Sequence, residues 1–172
     1  SAVVRLGETS TDLILVKESV LYFARSLGGG FDLFVDSIAS SRGIDPVRAR
    51  REIESIGDIT PGAKSAGEGA PALLSAAGQL FGMIESGLKM AGAQIGMADL
   101  EVSRFYLGGE ASRVRGLAEF LMKSFQRTVV PLRLEGDLEA SEEGGTTDRD
   151  GWEVAAGLAQ MACDPSAYRL TL

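Results

Sequence analysis

Residues 105–121, FYLGGEASRVRGLAEFL, constrain the fold more than any other stretch of the chain. An apolar run with β-forming residues (Val102, Phe105, Tyr106, Leu107) stops at Gly108 and Gly109. Ser112 follows as a helix-capping residue, and then an amphipathic run of Val114, Leu117, Ala118 and Leu121. The pattern reads as strand, glycine turn, helix. Two glycines allow positive φ and the close approach of a ligand or another backbone. The free N–H groups of a following helix would point back at the turn, a potential anion site. The same pattern serves equally well as a packing turn that binds nothing.

The rest of the 172-residue chain bounds the possibilities. A chain of this size buries roughly 70% of its unfolded surface, enough for a proper core. Its apolar fraction of 45% and charged fraction of 24% are those of a soluble globular protein. The net charge of −7 disfavours wholesale binding to nucleic acid or to an anionic membrane. Arg48, Arg50 and Arg51 are a local exception, read as a solvated helix face. A single cysteine, Cys163, excludes an internal disulfide and fits a reducing compartment. There is no histidine, which removes Ser–His–Asp and Cys–His catalysis and the commonest zinc ligand. The one long apolar stretch, 71–98, is interrupted by Glu85, Lys89 and several glycines, so a buried amphipathic helix is expected there and no membrane span.

Along the chain, residues 2–6, 11–16 and 20–27 read as three closely spaced strands, hence an antiparallel meander. Gly28, Gly29 and Gly30 break it; without a following Lys-Ser/Thr they are not read as a phosphate loop. Residues 31–41 carry a helical apolar stripe closed by Gly43. Asp45-Pro46 opens a second helix to about residue 56, and 57–69 reads as a loop. Pro71 opens the longest helix. After the strand–glycine–helix stretch come a strand at 128–134 with Pro131 marking an edge or bulge, an acidic glycine-rich segment at 135–150, and a small-residue helix at 152–162. Met83, Met90, Met97 and Met122 read as core filler, Cys163 as an inert buried thiol, and Trp152 as a packing residue. The acids of 135–150 lack the spacing of a calcium loop. The order β-β-β-α-α-α-β-α-β-α is an α/β layered arrangement.

A second glycine turn, Gly7-Glu8-Thr9-Ser10-Thr11, lies between the first two strands and could offer N–H and O–H groups to a phosphate. Turn chemistry alone accounts for it equally well. With Gly108 and Gly109, the chain has two glycine turns that could face a common cleft.

On these residues the chain resembles the second half of an actin-like (ribonuclease H-like) ATPase, in the PilM/FtsA branch, over nearly its whole length. VVRLGETSTDLILVKESVLYFARSL is similar to the family's phosphate-2 hairpin and next strand, and GGGFDLFVDSIASSRGIDPVRARREIESIG to the helix pair of the outer subdomain. FYLGGEASRVRGLAEFL is similar to the adenosine motif, TVVPLRL to the strand after it, and WEVAAGLAQMA to the terminal helix. The resemblance implies one domain over 1–172, with 1–29 and 97–172 as a core α/β subdomain and 30–96 as an outer helical insertion. The phosphate-1 half is absent, and the abrupt strand at the start is read as that of a fragment. Within the branch, PilM-like proteins fit best: cytoplasmic scaffolds of type IV pilus and related type II secretion machinery, docked to the inner membrane through a partner.

The resemblance also implies a nucleotide site at Gly7, Thr9, Thr11, Gly108 and Gly109, and here the chain departs from the pattern. Where the phosphate-2 motif has an Asp two residues before its Gly, this chain has Arg5, and a cation cannot hold magnesium, which needs oxygen ligands. Glu110 follows the two glycines where a small residue is usual, and would repel phosphates unless it points away. Arg48 and Ile53 stand at the family's acidic and lysine positions near the nucleoside. The expectation is a vestigial site with neither cofactor nor metal, in a non-catalytic scaffold that works by binding inner-membrane assembly proteins and possibly further copies of itself. The alternative is an ATP–magnesium-binding ATPase whose missing acid is supplied by Glu8 or Asp12, or by the absent half. A sugar-kinase-like or chaperone-like member of the superfamily is a third reading.

Overall fold

The computed structural model describes residues 1–18, 20–63, 67–97 and 99–132. The expected acidic segment at 135–150, the helix at 152–162, Trp152 and Cys163 lie outside the described residues.

Three strands, β1 (Ala2–Leu6), β2 (Ser10–Lys17) and β3 (Val20–Gly28), form the expected meander. Their alternation of apolar and polar residues puts Ala2, Val4, Leu6, Leu13, Leu15 and Phe23 on one buried face. Three helices follow, α1 (Asp32–Arg42), α2 (Pro46–Ile56) and α3 (Ala70–Gln94). The chain then returns to the sheet as β4 (Arg104–Gly109), makes a 3-10 turn at Glu110–Arg113, and ends its described part with α4 (Leu117–Phe125) and β5 (Thr128–Pro131). The sheet order is β3-β2-β1-β4-β5, antiparallel through the meander and parallel across β1-β4 and β4-β5. Pro131 sits at the end of a terminal strand, where its missing N–H costs no ladder bond.

Local signals explain most of the boundaries. Asp45 caps α2, its carboxylate accepting from the Arg48 N–H at 3.0 Å, with Pro46 at the first helical position. Gly43 closes α1 in the left-handed conformation, φ 63°. α3 lies on the sheet through Gly87, where a Cβ would come within 2.8 Å of Leu13 Cδ2. An aromatic cluster of Phe81, Phe105 and Phe125 joins α3, β4 and α4, with the last two rings stacked at 4.4 Å.

Two expectations need correction. Ser112 does not begin a helix: α4 starts at Leu117, after Gly116 at φ 83°. The loop after α2 docks there, the Ile59 N–H donating to the Arg115 carbonyl at 3.0 Å, and a Cβ on Gly116 would meet Thr60 N. The chain is held open over residues 114–116 to receive that loop. The methionines are also not uniformly core. Met83 packs against it, whereas Met90, Met97 and Met122 are 42%, 50% and 41% exposed.

Candidate functional site

The parallel pairing of β1 and β4 dictates where the two glycine turns meet. Parallel neighbours end on the same side, and Leu6 lies in register with Gly109. The turn after β1 and the turn after β4 therefore share the crevice beyond the carboxyl ends of the strands, where ligands bind in open α/β sheets. Gly109, at φ 71° and ψ −143°, is close to a conformation only glycine holds, and a Cβ there would lie 2.3 Å from the Leu6 carbonyl oxygen. Of the residues singled out in the sequence, Gly7, Gly108 and Gly109 come together here.

The hairpin turn is tied to the start of α1. The carbonyls of Gly7, Glu8 and Thr9 accept from the N–H groups of Phe31 (2.8 Å), Asp32 (3.0 Å) and Gly29 (3.1 Å). Gly30 nests against the turn so closely that a Cβ would lie 2.4 Å from the Gly7 carbonyl oxygen. The triple glycine thus lets two backbones touch. Thr11 is fully buried, its hydroxyl donating to the Gly29 carbonyl at 2.9 Å, while Thr9 is exposed on the turn.

Charged side chains occupy the space between these glycines. Arg5 reaches from one turn to the other: a Cβ on Gly109 would lie 3.3 Å from Arg5 Cγ, and one on Gly7 would lie 3.5 Å from its guanidinium. Arg5 donates to Asp12 at 3.1 Å across the β1-β2 ladder, and Asp12 also accepts from Ser26 at 2.9 Å. Arg5 Nε is buried without a hydrogen-bond acceptor. On the other wall Arg50 of α2 pairs with Glu8 of the turn, one of the two bonds at 2.9 Å. Arg113 bonds to Glu54 of α2 at 2.8 Å and to Glu110 at 3.0 Å. The Phe31 ring lies under both guanidiniums, at 5.3 Å from Arg50 and 4.8 Å from Arg113. Burial alone would lower the pKa of Arg113, but its bonds to Glu54 and Glu110 carry it above the ordinary guanidinium value.

Three expectations about these charges resolve differently. Glu110 is turned onto Arg113. Arg48 is a solvated pair with Glu52 at 2.7 Å, each holding the other in its charged form, and Ile53 is fully buried core. Arg50, grouped with the solvated face, reaches into the cleft instead. Phe31, Arg50, Glu54 and Arg113 lie within the stretches matched to the family, but none of them was singled out as a cleft residue. They meet only because pairings 42 and 59 residues apart in sequence are closed by the fold.

The position at which the resemblance expects a carboxylate ligand holds Arg5, and the candidate replacements Glu8 and Asp12 are each bonded to an arginine. The cavity at the ends of β4 and β5, lined by Gly108, Gly109, Arg115, Gly116 and Leu117, measures about 190 Å³. A more open groove of about 540 Å³ lies between the 58–63 loop, Leu74 and α4. Asp58, at its rim, is held below the usual carboxylate range by hydrogen bonds from Thr60, whose N–H donates at 2.8 Å.

Solved structures place this arrangement. The PilM–PilN type IV pilus biogenesis complex superposes with a TM-score of 0.61 at 23% identity, covering 77% of this chain and 35% of that chain. The fold is that of the actin-like ATPases. MreB5 of Spiroplasma citri bound to ADP aligns with a TM-score of 0.58 at 15% identity over 77% of this chain and 48% of that one. A non-polymerising A278D mutant of MamK bound to AMPPNP aligns with a TM-score of 0.57 at 17% identity over 78% and 50%. The chain thus spans between about a third and a half of these actin-like proteins. No family model and no curated protein matches it. No described helix is long and apolar enough to cross a membrane.

Proposed function

We propose that the chain is part of a PilM-like, non-catalytic scaffold whose cleft is occupied by its own charges rather than by a nucleotide. The observation that carries the reading is Arg5, lying between the two glycine turns and paired to Asp12. The ion pairs Arg50–Glu8 and Arg113–Glu54 then bridge the cleft from the outer helices to the turn and to the 3-10 segment. Such a protein works by holding other proteins. By analogy with the PilM–PilN complex, its partners are inner-membrane proteins of a pilus or type II secretion-type assembly, it sits on the cytoplasmic side of that membrane through them, and it self-associates if further copies join. Nucleic acid has no place in this reading.

The test is the unfolding temperature of the whole protein with ATP or ADP and magnesium. A ligand at 100 times its Kd stabilises by about 2.7 kcal/mol, a shift of several degrees. An unchanged midpoint supports the scaffold; a midpoint rising with nucleotide concentration overturns it. The ATPase alternative is favoured by the retained backbone of both glycine turns. It requires phosphate release from the whole protein, and loss of that release in Glu8→Ala or Asp12→Ala would identify the acid that replaces the missing one.

A further inference from the structure

The two ends of the sheet are finished differently. β5 is four residues long and ends in Pro131, the usual blunting of an edge against unwanted pairing. β3 is nine residues long, contains no proline, and forms the other end of the sheet. One side of it pairs with β2 from Lys17↔Val20 to Ser10↔Gly28, with one register shift at Leu15/Val16. No described strand pairs with the other side. Val20, Leu21 and Tyr22 are 46%, 42% and 48% exposed there. A long apolar edge of this kind is a template for strand addition, in which backbone hydrogen bonds give affinity and alternate side chains give specificity.

The charges say what kind of strand fits. Of the ionised groups along this ladder, Asp12 of β2 is taken up by Arg5 and Ser26, whereas Lys17 of β2 and Arg25 of β3 have no carboxylate partner among the described residues. Arg25 is turned onto Met90 of α3, a weak acceptor readily exchanged for a carboxylate. Glu18 sits in the hairpin tip, off the ladder. A second copy would bring the same two cations to the edge, and both copies carry −7 overall.

We propose that β3 is a docking edge for an extended segment of a partner protein, added as a further strand, in which apolar residues alternate with carboxylates that meet Arg25 and Lys17. The proposal names a surface for the scaffold but lies apart from the cleft. Nucleotide binding would overturn the scaffold reading and leave β3 untouched, and a silent β3 would leave the cleft reading standing.

The experiment pans a random nonapeptide display library against the whole protein and maps the enriched peptides by amide hydrogen exchange. The expected peptides alternate apolar with acidic residues and slow exchange within 20–28. They bind at least tenfold more weakly to Arg25→Glu, and they lose binding when N-methylated along one edge. Leu21→Thr, an exposed change that spares the fold, is expected to weaken them as well. Enrichment of basic peptides, a footprint elsewhere, or no enrichment overturns the proposal. So does finding the edge already protected, by residues 133–172 or by a concentration-dependent dimer that Leu21→Thr dissolves.

Discussion

The floor and the walls of the cleft obey different rules. The floor is backbone. Gly109 lies against the Leu6 carbonyl and Gly30 against the Gly7 carbonyl, contacts that leave no room for a Cβ. The walls are side chains, and here Arg5, Arg50 and Arg113 face Asp12, Glu8, Glu54 and Glu110 at the surface of the crevice. This floor is set by backbone packing whatever the cleft holds, because a Cβ at Gly109 or Gly30 would overlap a carbonyl oxygen. The walls are free to change, since exposed ion pairs contribute only about 0–1 kcal/mol each. Glycines therefore report the fold, and charges report what the crevice can accept.

The largest effects are expected where the floor is broken. Gly109→Ala forces a Cβ into the Leu6 carbonyl at a glycine-only φ and ψ, and should cost about 3 kcal/mol or more by denaturant unfolding. Gly30→Ala should cost about 2–3 kcal/mol by separating the hairpin turn from α1. A neutral result at either position would mean that the floor is plastic, and the contrast with the walls would fail.

Wall substitutions should be milder and should depend on salt. Arg113→Ala removes two carboxylate partners and a cation over Phe31, for about 1–2 kcal/mol that shrinks in high salt. Arg5→Asp sets two carboxylates opposite each other at the Arg5↔Asp12 pair and should cost about 1 kcal/mol at neutral pH. The double exchange Arg5→Asp with Asp12→Arg should recover most of it. The smallest effect lies outside the cleft, at Asp58. Its folded pKa is depressed by Thr60, so its contribution is present above the usual carboxylate range and is lost as pH falls through the folded value. In Asp58→Asn that part of the acid side of the stability profile should flatten.

Much of the floor was legible in the sequence, and little of the walls was. Hairpin spacing, the Asp45-Pro46 cap and the glycine after each strand are local signals, and the three-strand meander, α2 and the paired turns follow from them. The start of α4 was not legible, because the N–H of Ile59, more than fifty residues earlier, decides it by bonding the Arg115 carbonyl. Arg50 looked like one of three solvated arginines. Only the packing of α2 over Phe31 separates it from Arg48. Arg5 was legible as a departure from a motif, but its position between both glycines was not, since that depends on β4 lying beside β1.

The most direct measurement is a calorimetric titration of magnesium–ATP into the whole protein. The expected result is no heat beyond dilution, in the wild type and also in Arg50→Ala, because Arg5 still lies between the glycine turns. A saturating isotherm with micromolar Kd would contradict the account. It would mean that Arg5 withdraws from the glycines to admit phosphate, and that one of the paired carboxylates releases its arginine to hold the metal.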